Sequence, residues 1–116
     1  PLEENHLLDV EGRPAGGRTL GLGIRINWQD GPLSVDGGHR DPNGAFVETV
    51  IAVALGRLRF YQTDGVETPA GGAEHRGKFA CRENALAITK LEEALHWLDH
   101  RTRDREQRGV EGTHTP

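Results

Sequence analysis

The spacing of apolar and polar positions changes twice along the chain. Leu20, Leu22, Ile24, Ile26 and Trp28 alternate with Gly21, Gly23, Arg25, Asn27 and Gln29, the period of two expected of a strand with one buried face. Asp30-Gly31-Pro32 is a turn signal. Residues 33–35 then predict a short returning strand, held to an edge by the missing N–H of Pro32. From Ala45 to Gln62 the spacing becomes helical, with Val47, Val50, Ile51, Ala54, Leu55 and Leu58 on one face. Asp41-Pro42, or Asn43 as an alternative cap, marks its start, and Thr63-Asp64-Gly65 its end. A second stripe, Cys81, Ala85, Ile88, Leu91, Leu95 and Leu98, opens near Phe79. That helical pattern continues to Arg108, where Gly109 offers a stop.

The pattern therefore predicts strands within about residues 20–35, one helix over about 42–63 and another over about 79–108. At 1.5 Å per residue the helices would be roughly 27 and 45 Å long, so antiparallel pairing leaves the last third of the second helix overhanging. Residues 1–19 show no sustained period and read as a flexible N-terminal extension. Residues 20–116 read as a single domain. The expected fold class is α+β: a short antiparallel β element, then an antiparallel helical hairpin, completed by homo-oligomerisation. A Gly-rich stretch over 64–78 joins the helices.

Composition sharpens this picture. The 116 residues allow one domain. Only 34% are apolar and 16 are glycine, which predicts flexible, loop-like stretches or a fold completed by association. The net charge of −4 argues against a general duplex-DNA binder. A lone cysteine, Cys81, allows neither an internal disulfide nor a Cys-rich metal site, and fits a reducing compartment such as the cytoplasm. No run approaches the roughly 18 apolar residues of a membrane span, and no basic-then-apolar leader opens the chain. Pro1 is not a translation start, so a trimmed or fused product is expected.

Against that acidic balance, the overhang gathers Arg101, Arg103, Arg105 and Arg108. Spacings of four, four and three put Trp97, Arg101, Arg105 and Arg108 along one face. One reading is a solvated helix end laced by Asp104 and His100, complementing the negative end of the helix dipole. In the other, overhangs from several copies converge, and their guanidinium forks hold phosphate oxygens. Gly109, Val110 and Thr113 would then add backbone N–H groups and a hydroxyl.

A second candidate lies at the start of the second helix. Unpaired N–H groups there suit an anion, Phe79 could stack a nucleobase, and Arg82 and Asn84 stand close behind. A hydrophobic staple and a solvated first turn are the alternative. Asn27 lies on the strand face opposite Trp28, which alternation places in the core, and could receive a ligand. Arg57 and Arg59, late in the first helix, read either as ligand contacts or as solubility charges.

Several chemistries find no support. His96 and His100 have i, i+4 spacing, but Trp97 stands where a zincin helix needs Glu, and no third ligand is evident. Gly21 and Gly23 are half of a dinucleotide fingerprint whose third position is Ile26. No Walker motif and no nucleophile–base pairing stand out. The sequence therefore reads as non-enzymatic, with no metal and no cofactor.

The blocks "GLGIRINWQDGP", "DPNGAFVETVI", "RLRFYQ", "FACRENALAITKLEEALHWLDHRT" and "RGVEGTH" together resemble phage Thoeris anti-defence proteins of the first type. These are sponges for glycocyclic ADP-ribose, the signal made by bacterial TIR-domain proteins. The C-terminal half also resembles sponges that defeat CBASS immunity by trapping cyclic di- and trinucleotides. The resemblance covers about residues 21–114. It implies a homo-oligomer, a hexamer by resemblance, in the cytoplasm of an infected bacterium. It implies one pocket for glycocyclic ADP-ribose between paired subunits and another for cyclic oligonucleotides where helix ends gather, with the signal bound and released intact. The positions that carry over are Asn27, Trp28, Phe79, Asn84, Arg105, Arg108 and Thr113. The rival readings are an enzyme that cleaves the signal and a helical-hairpin interaction module without a small-molecule ligand.

Overall fold

A computed structural model describes residues 1–35, 38–66 and 75–107. Seven elements follow in order: β1 (Glu3–Leu8), β2 (Pro14–Gly21), β3 (Ile24–Asn27), β4 (Ser34–Val35), β5 (Gly38–His39), α1 (Val47–Thr63) and α2 (Arg82–Gln107). The chain is α+β. Its described residues divide into two compact units, one holding Pro1–Val47 and the end of α2 from Arg101, the other Glu48–His100.

In the first unit β1, β2 and β3 form an antiparallel sheet in that order, and β4 pairs with β5. Two sequence expectations change here. Residues 1–19, read as an extension without period, contain β1 and most of β2. β1 is exposed along its whole length, so no burial imposes alternation on it, and the register slips between His6 and Leu8. The run from Leu20 to Gln29, read as one strand, is a hairpin. Leu22-Gly23 forms its two-residue turn, with Gly23 at φ 77°, a conformation that glycine adopts without steric cost. The turn moves Leu20 to the other face: it pairs with Arg25, while Thr19 pairs with Ile26. Leu22 is left exposed at the turn. The short return strand is present as β4, and its partner β5 lies in the segment read as loop.

The first helix starts five residues after the expected Asp41-Pro42 cap. Residues 43–45 bind the end of β3 instead. Ala45 N–H donates to the Asn27 carbonyl at 2.7 Å, and Gln29 N–H donates to the Ala45 carbonyl at 3.0 Å. Gln29 Oε1 accepts from the Asn43 and Gly44 amides, and Asn43 Oδ1 accepts from Asp30 N–H. A Cβ on Gly44 would lie 2.5 Å from the Trp28 backbone, so only glycine lets the segments approach this closely. Arg40 ties down the turn before it, donating to the Pro32 and Asp30 carbonyls at 2.6 Å each.

In the second unit α1 ends where expected. Asp64 and Gly65 both adopt positive φ, and Thr63 Oγ1 accepts from Gly65 N–H. The helices are antiparallel. Gln62 clasps Cys81 just before α2, accepting from its N–H at 2.9 Å and donating to its carbonyl at 3.2 Å. Three residues back along α1, Arg59 pairs with Glu92, well into α2, at 2.8 Å. α2 opens at Arg82 rather than near Phe79, with the Cys81 carbonyl accepting from Ala85 N–H. Of the apolar stripe on α1, only Leu55 is buried, at 3% exposure, and among the described residues no other apolar side chain is. α2 buries none. Ala85, expected in its stripe, is exposed, whereas Ile88, Leu91, Leu95 and Leu98 are half-buried.

The contrast between two glycines gives a test. Gly44→Ala should lower the melting temperature by the equivalent of more than about 1 kcal/mol, because its backbone neighbour cannot yield. Gly56, in α1 with open space around it, should gain about 0.5–1 kcal/mol as alanine. Thermal melts of both variants, moving in opposite directions, check the close approach.

The β1–β2 connection gives a second. Arg13 N–H donates to Asp9 Oδ1 at 3.0 Å, Glu11 N–H donates to the same oxygen, and the Arg13 guanidinium holds Oδ2. The Arg13 backbone bond is the largest influence, and together they hold the Asp9 carboxyl below the usual carboxylate range. A depressed folded-state pKa means the turn's contribution is present above the unfolded value and lost as pH falls through the folded one. NMR titration should place the Asp9 carboxyl midpoint below the ordinary aspartate range, with the Glu11 and Arg13 amides moving at the Asp9 midpoint.

Candidate functional site

The sheet positions the first group of site residues. Opposed residues share a face, so Asn27 stands beside Arg18, which in turn opposes Asn5. Asn27 is exposed. Trp28 projects from the other face and is half-buried. Its Nε1–H donates to Thr19 Oγ1 at 2.9 Å, and its ring lies 6.3 Å from that of His6. Thr19 is 4% exposed. Trp28 is thus a packed residue with a satisfied N–H, and Asn27 offers its side chain outward. The sequence pattern did not single out Asn5, Arg18 or Arg25 as site residues. Glycines within β2 and the exposure of β1 hide the alternation that would have placed them beside Asn27.

α1 positions Arg57. Its Nε–H donates to the Tyr61 hydroxyl at 3.2 Å, and its guanidinium carbon lies 4.9 Å from the Phe60 ring centre and 5.1 Å from that of Tyr61. Spacings of three and four along a helix bring such groups together, and the aromatic faces hold the cation. Arg57 is therefore a pre-oriented guanidinium, whereas Arg59 is engaged by Glu92.

The start of α2 positions Phe79, Arg82 and Asn84. Phe79 is 69% exposed, so within its unit it is not the staple residue that its position allows. Asn84 Nδ2–H donates to the Phe79 carbonyl at 3.5 Å, and its backbone N–H faces Cys81 Sγ at 3.4 Å. Asn84 thus links the aromatic to the first helical turn. Arg82 is exposed beside it.

Farther along α2, Trp97 is 71% exposed and stacks edge-on with His100 at 5.9 Å. Arg101 is exposed and Arg105 half-buried. Arg101, Arg103 and Arg105 each have a partner, as do Asp99 and Asp104. Arg108, Gly109, Val110 and Thr113 lie outside the described residues. Among the described residues no three His, Cys, Asp or Glu side chains gather as a metal site, and no helix is long and apolar enough to cross a membrane.

The architecture and these side chains define an α+β chain whose second part is a helical hairpin that presents arginines and aromatics outward. The chain belongs to the Acb2/Tad1 hairpin-domain family, whose model matches residues 22–103. It is 47% identical over 89 residues to Thoeris anti-defense 1 of Bacillus phage SBSphiJ7, an alignment covering 77% of this chain and 51% of the relative. The chain thus spans about half the length of the curated relative it matches.

The two exposures predict opposite outcomes on truncation. Trp28→Phe leaves the buried Thr19 hydroxyl without its donor and should cost about 1–3 kcal/mol of stability. Phe79→Ala should change stability by no more than about 0.5 kcal/mol, as exposed substitutions do. Denaturant melts of the two variants measure the difference.

Proposed function

We propose that the chain is a viral anti-defence sponge, which binds glycocyclic ADP-ribose and cyclic di- or trinucleotide signals and sequesters them without cleavage. The alignment with Thoeris anti-defense 1 carries the reading. The chemistry of the exposed side chains supports it. A cyclic nucleotide signal presents phosphates, hydroxyls and flat bases. Guanidinium forks suit the phosphates, and an aromatic exposed beside a helix start suits a base. In this reading Arg57, Phe79, Arg82 and Asn84 of the hairpin serve the ADP-ribose-type ligand, while Asn27 and Trp28 stay ligand-binding candidates of the sheet taken by itself. Arg101, Arg105, Arg108, Gly109, Val110 and Thr113 serve the oligonucleotide.

Self-association belongs to the same proposal. A chain that among its described residues buries one leucine while exposing Val53, Phe60, Leu86 and Trp97 on its helices has apolar surface to give to other copies. Preorganised pockets completed by neighbouring subunits supply the affinity that a competitor of a host receptor needs. The site works in the host cytoplasm, where the signals are made. The same exposed apolar side chains favour a second reading, a hairpin that assembles proteins and takes no nucleotide.

Light scattering should give a mass above that of one 12.7 kDa chain. Calorimetry should show binding of glycocyclic ADP-ribose at or below micromolar concentration, and chromatography after heat release should recover it intact. Phe79→Ala should weaken that ligand by about 10- to 100-fold, the span of an aromatic–base stack. Arg105→Ala with Arg108→Ala should instead weaken cyclic oligonucleotides. An oligomer whose melting temperature ignores every cyclic nucleotide would establish the interaction module instead.

A further inference from the structure

Asn43-Gly44 is the one Asn-Gly step in the sequence. Such a pair is chemically labile, because glycine has no side chain to shield its amide nitrogen from the side-chain amide before it. The fold nevertheless calls for both residues. Asn43 lies along the Asp30 peptide: its Oδ1 accepts from Asp30 N–H at 2.8 Å and its Nδ2 donates to the Asp30 carbonyl at 3.0 Å. A side-chain amide offers both functions, whereas a carboxylate only accepts. Gly44 has no room for a Cβ, which would lie 2.5 Å from the Trp28 backbone. Gln29 closes the other side. Its Oε1 accepts from Asn43 N–H at 2.9 Å and from Gly44 N–H at 3.2 Å, and its Nε2 donates to the Asp30 and Gly31 carbonyls at 3.4 and 3.3 Å. Asn43 is exposed and Gly44 half-buried, so water reaches the pair.

We propose that Asn43 is a latent deamidation site, kept intact by the Gln29 clasp and converted to aspartate or isoaspartate when that clasp opens. The reaction requires the Gly44 nitrogen to lose its proton and close on Asn43 Cγ. A bond then forms between them, the bond from Cγ to Nδ2 breaks, and ammonia leaves with the proton. Water opens the resulting succinimide at either carbonyl, so one water is consumed and one ammonia released. The clasped geometry opposes both requirements. The Gly44 proton is engaged by Gln29 Oε1, and the Asn43 amide is bonded at both ends to Asp30, which fixes Cγ. Conversion is therefore confined to local openings of this segment. The product does not return to the clasp. Aspartate at this position sets a carboxylate oxygen against the Asp30 carbonyl, where Nδ2 had donated. Isoaspartate adds a methylene to the backbone beside Gly44, where the Trp28 backbone leaves no space. Each conversion thus loosens residues 43–45 from the end of β3 and adds one negative charge. The inference rests on this junction alone and not on any ligand.

The test incubates the full chain at neutral pH, below its melting temperature, and follows the peptide holding residue 43 by mass spectrometry after digestion. The folded chain should convert Asn43 at least tenfold more slowly than the same chain in denaturant. Gln29→Ala removes the shared acceptor and should speed conversion at least fivefold. Gln29→Glu keeps an acceptor in place and should restore most of the protection. Gln62→Ala, which opens the clasp on Cys81 in the other unit, should change the rate less than twofold. Asn43→Asp should melt at a lower temperature than the parent chain. Hydrogen exchange of the Gly44 amide in the unmutated chain gives a readout that needs no variant, and it should be slowed at least tenfold. A folded chain that deamidates as fast as the denatured one, or a Gly44 amide that exchanges without protection, would overturn the proposal. So would a folded Gln29→Ala variant with the parent rate. Equal acceleration by Gln62→Ala would overturn it as well, by assigning the protection to general stability.

Discussion

Scarcity of buried apolar surface governs this chain. Leu55 is the one apolar side chain among the described residues that is fully withdrawn from water, and the 26-residue α2 withdraws none. Burial of a single leucine contributes on the order of 1.5–3 kcal/mol, far below the entropy lost in ordering even a few residues. Directional bonds therefore do much of the positioning. The strand register, the amides of residues 43–45 on the end of β3, the Arg40 bonds to two carbonyls and the Gln62 clasp on Cys81 are all of this kind. Such bonds specify geometry well and add little net stability each.

The same scarcity shapes the site. Side chains that a larger core would absorb remain available at the surface. Phe79 lies open beside a helix start, and Asn84 is tied to its carbonyl. Arg57 is braced against two rings of its own helix. One face of the sheet carries the exposed Arg18 and Arg25. Arginine and aromatic groups on short, bonded elements have the chemistry that recognition of phosphate and base requires.

The long helix was the most legible part of the sequence. Its stripe spans many turns, so displacement of one position such as Ala85 leaves the period intact. The end of α1 was also readable, because Thr63-Asp64-Gly65 supplies a stop that acts locally. Its start was not. Asp41-Pro42 has the chemistry of a cap, but residues 43–45 find better partners at Asn27, Gln29 and Asp30, more than a dozen residues back in sequence. The opposite faces of Asn27 and Trp28 followed from alternation. The neighbours of Asn27 did not, because Asn5 and Arg18 reach it only through pairing between strands, one of which has no buried face.

The sequence by itself determined which segments are helical, where α1 stops, and which residue types are available for phosphate and base, since these depend on period, local stop signals and composition. It also carried the family resemblance in blocks that survive any rearrangement of loops. Only the tertiary structure decided that the first 20 residues enter a sheet, that Leu22-Gly23 turns one apparent strand into two, and that Arg18, Arg25 and Asn27 share a face. The reason is that a two-residue turn inverts which residues face which side, and backbone bonds between distant segments leave no periodic trace in the chain that makes them.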